Sequence, residues 1–251
     1  MTGVFRAELV KLRRSAVWAI APILPLMAVF TGTMNVLGNA GTLDSGWASL
    51  TSQVTLFYGL MFFSIGVGLL AATVWRSEHR GSNWNLLVTG TRRPLLLVLA
   101  KIAAIAVPVA FMQLVLIAGT LAAGVLVLRL DGPIPWEFAG TCALSVVIAF
   151  PLVATQSLLS MLIRTFAAPV AICLAGCVVG LATVMSEALR PLGYLVPQAL
   201  NTKALSLGSN AISDAGGLGA GDIVPLVGSA VVLTAAVVAL TVWLIRTVKL
   251  R

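Results

Sequence analysis

The fold is decided by an uncharged stretch near the end of the sequence. Residues 223–245 read Ile-Val-Pro-Leu-Val-Gly-Ser-Ala-Val-Val-Leu-Thr-Ala-Ala-Val-Val-Ala-Leu-Thr-Val-Trp-Leu-Ile, without one acidic or basic side chain. A helix needs about 20 apolar residues to cross the ~30 Å hydrocarbon core of a bilayer. This stretch therefore predicts a transmembrane helix.

The composition extends that prediction to the whole chain. Of the 251 residues, 59% are hydrophobic and 10% are charged, and the mean hydropathy is +1.05. A soluble domain usually carries about 25% charged residues, so an ordinary soluble protein is excluded. The predicted fold class is an all-α integral membrane protein, one transmembrane domain over 1–251, whose six spans lie at about 17–37, 54–75, 102–128, 139–163, 166–186 and 223–245.

The distribution of charge predicts the orientation of these spans. With both termini in the cytoplasm, 13 of the 16 basic residues and two of the eight acidic residues lie inside, a net +11, and the outside carries a net −3. Basic loops favour the cytoplasmic side of a membrane. The net charge of +8 thus records topology, and a nucleic-acid partner is not needed to explain it.

The N-terminal segment 2–16 combines an apolar face with positive charge. Phe5, Leu9, Leu12 and Ala16 recur at helical spacing, which predicts an amphipathic helix on the inner leaflet that contacts membrane lipids. The alternative is a basic flank that only orients the first span. The residues assigned to the interface are Phe5, Leu9, Lys11, Leu12, Arg13 and Arg14.

The cytoplasmic segment 76–101 is the largest on that side. A short helix is predicted through Trp84, Leu86 and Leu87, ending at Gly90, and its aromatic and aliphatic surface beside charges favours docking of a cytoplasmic partner. The alternative is a solvated loop whose Trp84 lies at the membrane interface. On the outer side, the segment 187–222 predicts short helices in its first half and a flexible, Gly-rich second half.

Chemistry of its own is not predicted for this chain. The sequence has no phosphate-binding G-x-x-x-x-G-K-[ST] motif and no H-E-x-x-H motif, and its single histidine cannot build a metal site. Cys142, Cys173 and Cys177 fall within spans and are interpreted as structural. We therefore predict no catalytic, cofactor-binding or metal site, and an energy source that must come from a partner if transport is active.

Three features resemble the type-two class of ABC transporter permeases, particularly the short six-span permeases of bacterial drug-export and lantibiotic-immunity systems. The first is Phe-Arg-Ala-Glu-Leu-Val-Lys-Leu-Arg-Arg-Ser at 5–15, where the family has an amphipathic elbow helix. The second is Glu-His-Arg-Gly-Ser-Asn-Trp-Asn-Leu-Leu at 78–87, followed by Arg92, Arg93 and Lys101, where the family has a coupling helix. The third is the six-span layout. Gly90-Thr91 departs from the proline that many members carry before the arginine.

The resemblance implies a non-catalytic subunit of an exporter in the bacterial cell membrane. Two permeases, identical or related, would pair above two cytoplasmic ATPase subunits that bind ATP and Mg²⁺, and export a hydrophobic drug or an antimicrobial peptide. It implies coupling contacts at Glu78, Trp84, Leu86, Leu87, Arg92 and Arg93. Spans two and five would line the pathway.

The predicted pathway residues have a simpler alternative. Small residues and intramembrane amides also serve close helix packing and interhelical hydrogen bonds. The residues to which both interpretations apply are Gly66, Gly68, Gln113, Gln156, Gly176 and Gly180. A passive channel or a membrane assembly scaffold without an ATPase is the alternative function.

Overall fold

The computed structural model describes residues 2–43, 46–79, 93–211 and 216–247, and this part of the chain contains helices and no strand. The all-α membrane fold predicted from the sequence is confirmed, with five helices long and apolar enough to span a membrane and a bent pair that makes a sixth. The helices are α1 (Thr2–Arg13), α2 (Val17–Gly38), α3 (Trp47–His79), α4 (Pro94–Val127), α5 (Trp136–Ile148), α6 (Phe150–Leu162), α7 (Ala167–Met185), α8 (Pro197–Ser206) and α9 (Ala220–Thr247).

Two spans extend further than the apolar runs that predict them. Span two begins at Trp47 rather than at residue 54 and continues to His79, and span three begins at Pro94 rather than at residue 102. Hydrocarbon thickness limits the uncharged part of a helix, but hydrogen bonding continues into the aqueous region. The two ends of the predicted cytoplasmic segment 76–101 are therefore helical, since α3 continues to His79 and α4 begins at Pro94.

Span four is bent. The helices α5 and α6 meet at Ala149 at an angle of 41°. Pro151 stands in the first turn of α6, and its ring cannot donate a backbone hydrogen bond to the preceding turn. The single predicted span 139–163 thus consists of two shorter helices.

The core of the bundle lies around spans two and three. In their most apolar windows, 61% of α3 and 56% of α4 are buried within the chain, against 17% of α9. Span two approaches span one closely at Gly32, where a Cβ atom would lie 2.8 Å from the Val54 backbone. These central spans hold the helix ends at which the functional residues are found.

The segment after span five folds back into the bundle. A short 3₁₀ turn (Arg190–Tyr194) precedes α8, whose Thr202 hydroxyl donates to the Gly59 carbonyl at 2.7 Å. Gly59 belongs to a π-helical turn in span two (Tyr58–Phe62), where the widened helix leaves backbone carbonyls without their usual partners. The short helices predicted for 188–207 are present, and α8 is buried rather than superficial.

Candidate functional site

A buried ionic cluster occupies the end of the bundle at which spans one, two and three meet. The Lys101 ammonium donates to Glu8 Oε2 at 2.7 Å and to Glu78 Oε1 at 2.6 Å. The Lys101 side chain is fully buried, and both carboxylates are nearly so. A buried charge is tolerated only when it is paired and hydrogen-bonded, and here Lys101 meets both conditions.

Lys11 completes the cluster from its solvent-facing side. Its ammonium donates to Glu8 Oε1 at 2.9 Å and to Glu78 Oε1 at 2.7 Å, and 45% of its side chain is exposed. Burial alone would lower the pKa of Lys11, but hydrogen bonds to Glu78 and Glu8 outweigh that cost and raise the pKa above its ordinary value. Two carboxylates and two ammonium groups make the cluster neutral overall.

Three separate elements supply the cluster. Glu8 lies on α1 in the same stripe as Phe5, Leu9 and Leu12, so the face of α1 that packs on span three also carries a carboxylate. Lys101 lies about two turns into α4, with its ammonium 5.1 Å from the Trp75 ring centroid. An aromatic face attracts a cation at that distance. The elbow helix is thereby joined to spans two and three.

The last turn of α3 also contacts spans four and five. The Trp75 indole donates to the Ser157 hydroxyl at 2.8 Å, and His79 Nε2 lies 2.7 Å from the Ser160 carbonyl, to which it donates. The Arg76 guanidinium lies 5.8 Å from the centroid of the Phe166 ring, at the start of α7. This end of span two therefore contacts α1, α4, α6 and the start of α7.

Comparison with known families assigns the chain. A family model described as "ABC-2 family transporter protein" matches residues 4–180, from the elbow helix to span five, and includes every member of the ionic cluster. The chain belongs to the ABC-2 transporter family. A comparison with curated proteins found no match.

Membership makes the chain an ABC permease, a multi-pass membrane protein of a transport system that includes an ATPase. Permeases of this family are typically non-catalytic transmembrane subunits. The resemblance inferred from the elbow sequence, the segment after span two and the six-span layout is thus confirmed. Cargo and direction of transport are separate questions.

Of the six predicted coupling residues of this ABC-2 permease, two lie among the described residues and four lie outside them. Glu78 is in the ionic cluster, and Arg93 is exposed immediately before α4. Four of the six, Trp84, Leu86, Leu87 and Arg92, lie outside the described residues. The segment 80–92 that contains them connects the cluster-bearing ends of α3 and α4.

The predicted elbow residues lie on α1 and the turn that follows it. Leu12 is buried and packs with the core, whereas Phe5 and Leu9 are half-buried. Lys11, Arg13 and Arg14 are exposed, although Lys11 reaches the cluster. Ala16, counted with the apolar face in the sequence, is also exposed, because the chain turns at residues 14–16 before span one begins.

The four glycines predicted for the pathway lie at contacts within the chain. A Cβ atom at Gly66 would collide with the Met112 side chain, and one at Gly68 would lie 3.2 Å from Cys173. In span five, Gly176 and Gly180 pack against α8, which the pathway prediction did not include. Helix packing accounts for these four positions in the single chain.

The two intramembrane amides are deeply buried. Gln113 is 2% exposed and Gln156 is 1% exposed, and within the described residues neither Gln113 amide atom nor Gln156 Oε1 has a hydrogen-bond partner. Cys173 donates to the Ser64 carbonyl at 3.1 Å. No group of three or more histidine, cysteine or carboxylate side chains among the described residues is arranged to hold a metal ion.

Glu8 and Lys101 are members of the site that the sequence pattern did not predict. Both were counted as cytoplasmic charges, and Lys101 was placed in the loop before span three. The signal for Glu8 was its position, because a carboxylate between Phe5, Leu9 and Leu12 interrupts an apolar stripe and needs a cation beside it.

Proposed function

We propose that this ABC-2 permease is the transmembrane subunit of an ATP-driven exporter in a bacterial cell membrane. Two copies, or this chain and a related one, pair above two ATPase subunits that bind ATP and Mg²⁺. The segment 80–92 is the surface on which the ATPase docks. The cargo is a hydrophobic drug or an antimicrobial peptide, so the system confers antibiotic resistance or lantibiotic immunity.

The observation that carries this proposal is the anchoring of both ends of the docking segment. Glu78 precedes the segment and Lys101 follows it, and their 2.6 Å contact closes the base of the loop. Because the same two residues bind the elbow helix, a displacement of the segment moves α1, α3 and α4 together. A docking loop held in this way transmits force instead of absorbing it.

Transmission continues toward the rest of the bundle. The Trp75 and His79 contacts attach the end of span two to span four, so motion of span two displaces α6 as well. The spans that would move have uncharged central regions, which favours an apolar or amphipathic cargo over an ion. Glu78 and Lys101 act here as positioning residues.

Co-purification with a cognate ABC ATPase subunit tests the docking surface. We expect Trp84→Ala with Leu87→Arg to abolish ATPase binding while the permease keeps its elution volume and thermal stability. The matched control is Trp136→Ala with Leu195→Arg, two exposed positions toward the opposite end of the bundle. Normal ATPase binding by the docking variant would refute the assignment of this surface.

A second experiment separates docking from transmission. Glu78→Gln is expected to keep the ATPase bound but to lower cargo-stimulated ATP hydrolysis, because the loop base loses its ionic contact to Lys101. A permease that never binds an ATPase, and that supports flux in ATP-free liposomes, would instead establish a passive channel.

A further inference from the structure

A cleft beside the ionic cluster separates the elbow turn from span two. Its volume is about 350 Å³, within the roughly 300–1,000 Å³ typical of small-ligand pockets. Arg14 and Ser15 line the elbow side together with Glu8 and Lys11 of the neutral cluster, Arg76 and Ser77 line the side of span two, and Leu12 and Val74 add apolar surface. Positive charge and an adjoining apolar surface are the two features expected of a site that binds an amphiphilic molecule.

Within the described residues, no carboxylate neutralises Arg14 or Arg76. Glu8 and Glu78 are the only carboxylate side chains on the predicted cytoplasmic side, and both are bound by Lys11 and Lys101. Among the described residues, neither Arg14 nor Arg76 forms a salt bridge; Arg76 faces the Phe166 ring. The cluster itself is neutral, so the cleft has a local excess of two positive charges.

Ser15 adds a further hydrogen-bonding group to the lining of the cleft. The Ser15 hydroxyl oxygen accepts from the Val17 amide at 3.3 Å, which leaves its proton free to donate into the cleft. The adjoining N-terminus of α2, a helix of 22 residues, adds the positive end of its dipole. Guanidinium groups bind phosphate oxygens through paired hydrogen bonds, so this donor set suits a phosphate.

The position of the cleft selects the source of that phosphate. Span one begins at Val17 and span two ends at His79, so the cleft lies where both helices leave the membrane on one side. Anionic lipids are concentrated in the cytoplasmic leaflet. We propose that the cleft binds the headgroup of an anionic glycerophospholipid, with its phosphate between Arg14 and Arg76 and its glycerol backbone against the apolar surface.

Native mass spectrometry of the detergent-purified permease, without any ATPase, tests this site directly. With equal amounts of phosphatidylglycerol and phosphatidylcholine, wild type is expected to retain one phosphatidylglycerol molecule preferentially. Arg14→Gln with Arg76→Gln should weaken that retention by about tenfold or more, as expected when two charge-assisted contacts are lost. Arg6→Gln with Arg246→Gln removes two exposed charges elsewhere and should change nothing.

Several results would overturn the proposal. They are unchanged retention by the cleft variant, equal retention of phosphatidylcholine, or an equal loss in the charge-matched control. Displacement of the lipid by inorganic phosphate at comparable concentration would assign the cleft to a free anion instead. Occupation of the cleft only after the ATPase is added would assign it to a protein partner.

Thiol labelling gives an independent measurement if the double variant fails to fold. Ser77→Cys places a thiol in the wall of the cleft, and Thr247→Cys places one at an exposed helix end outside it. Phosphatidylglycerol vesicles are expected to slow the labelling of the thiol at position 77 several-fold relative to the labelling of the thiol at position 247. Equal rates at both positions, or equal protection by phosphatidylcholine vesicles, would contradict the assignment.

Discussion

Lys101 joins three helices at the end of the bundle that carries the ionic cluster. Its side chain is fully buried and satisfied by two carboxylates from different helices. Removing Lys101 leaves two nearly buried carboxylates to share the single Lys11 ammonium, and the excess negative charge makes the loss costlier than the net energy of the pairs that are broken. Lys11 differs from Lys101 because its side chain is about half exposed. Water can therefore take the place of its ammonium group when that group is lost.

We therefore expect Lys101→Met to lower the free energy of unfolding by about 3–5 kcal/mol, against about 1 kcal/mol or less for Lys11→Met. Denaturant titration in detergent measures both. Adding Glu78→Gln to Lys101→Met should restore part of the stability, since it removes the excess negative charge and leaves Glu8 paired with Lys11. Equal losses for the two lysines would show that burial does not set the cost.

Lys11 also gives the cluster a pH dependence. Its pKa in the folded protein is raised above the ordinary 10.5, because hydrogen bonds to Glu78 and Glu8 outweigh burial. A raised lysine pKa contributes stability that is complete below the unfolded pKa and is lost as pH rises through the folded pKa. The difference in melting temperature between wild type and Lys11→Met should thus be constant near neutrality and shrink above pH 10.5. A difference that already shrinks at neutral pH would contradict this account.

At the scale of elements, the extent of the helices explains what the sequence could not predict. Apolar runs reveal where a chain crosses hydrocarbon, so the existence of the spans was predictable. α4 has 34 residues and a length of about 50 Å at 1.5 Å per residue, which exceeds the hydrocarbon thickness. Its first turns therefore lie outside the span predicted at 102–128, and Lys101 becomes a helical residue that pairs with α1 and α3.

The contact between spans one and two makes a prediction at this scale. Gly32→Ala would place a Cβ atom 2.8 Å from the Val54 backbone, which cannot rotate aside as a flexible side chain could. We expect a loss of about 1–3 kcal/mol in the free energy of unfolding, typical of overpacking.

Gly228→Ala is the matched control, because a Cβ atom there meets nothing within 4 Å and alanine favours a helix. It should be neutral or stabilising. If the two variants behave alike, the approach of α2 to α3 is looser than the structure indicates.

At the scale of the whole molecule, the sequence predicted the class of fold and the family but not the site. The six spans follow from uncharged runs, which are local. The ionic cluster joins residues 8, 11, 78 and 101, and which carboxylate meets which ammonium depends on how three helices pack. The burial of α8 against span two could not be predicted either, since the sequence of α8 is only moderately apolar.

The orientation predicted from charge is testable on the intact membrane. With both termini inside, an impermeant thiol reagent should label Thr42→Cys in intact cells and label Arg13→Cys only after permeabilisation. Both positions are exposed, and all three native cysteines are buried. The reverse pattern would invert the topology, and labelling of both in intact cells would invalidate the six-span arrangement.

The ionic cluster also imposes an order on biogenesis. Glu8 and Lys101 are 93 residues apart, so at about 5–20 residues synthesised per second the elbow precedes its buried partner by roughly 5–19 s. Throughout that interval Lys11 can pair with Glu8 Oε1, but the Oε2 atom that Lys101 will bind stays hydrated, because it cannot be buried without a partner. Docking of the elbow thus marks the arrival of the third span. A nascent chain that still lacks span three therefore differs from a longer one, because its N-terminal helix is still in contact with water.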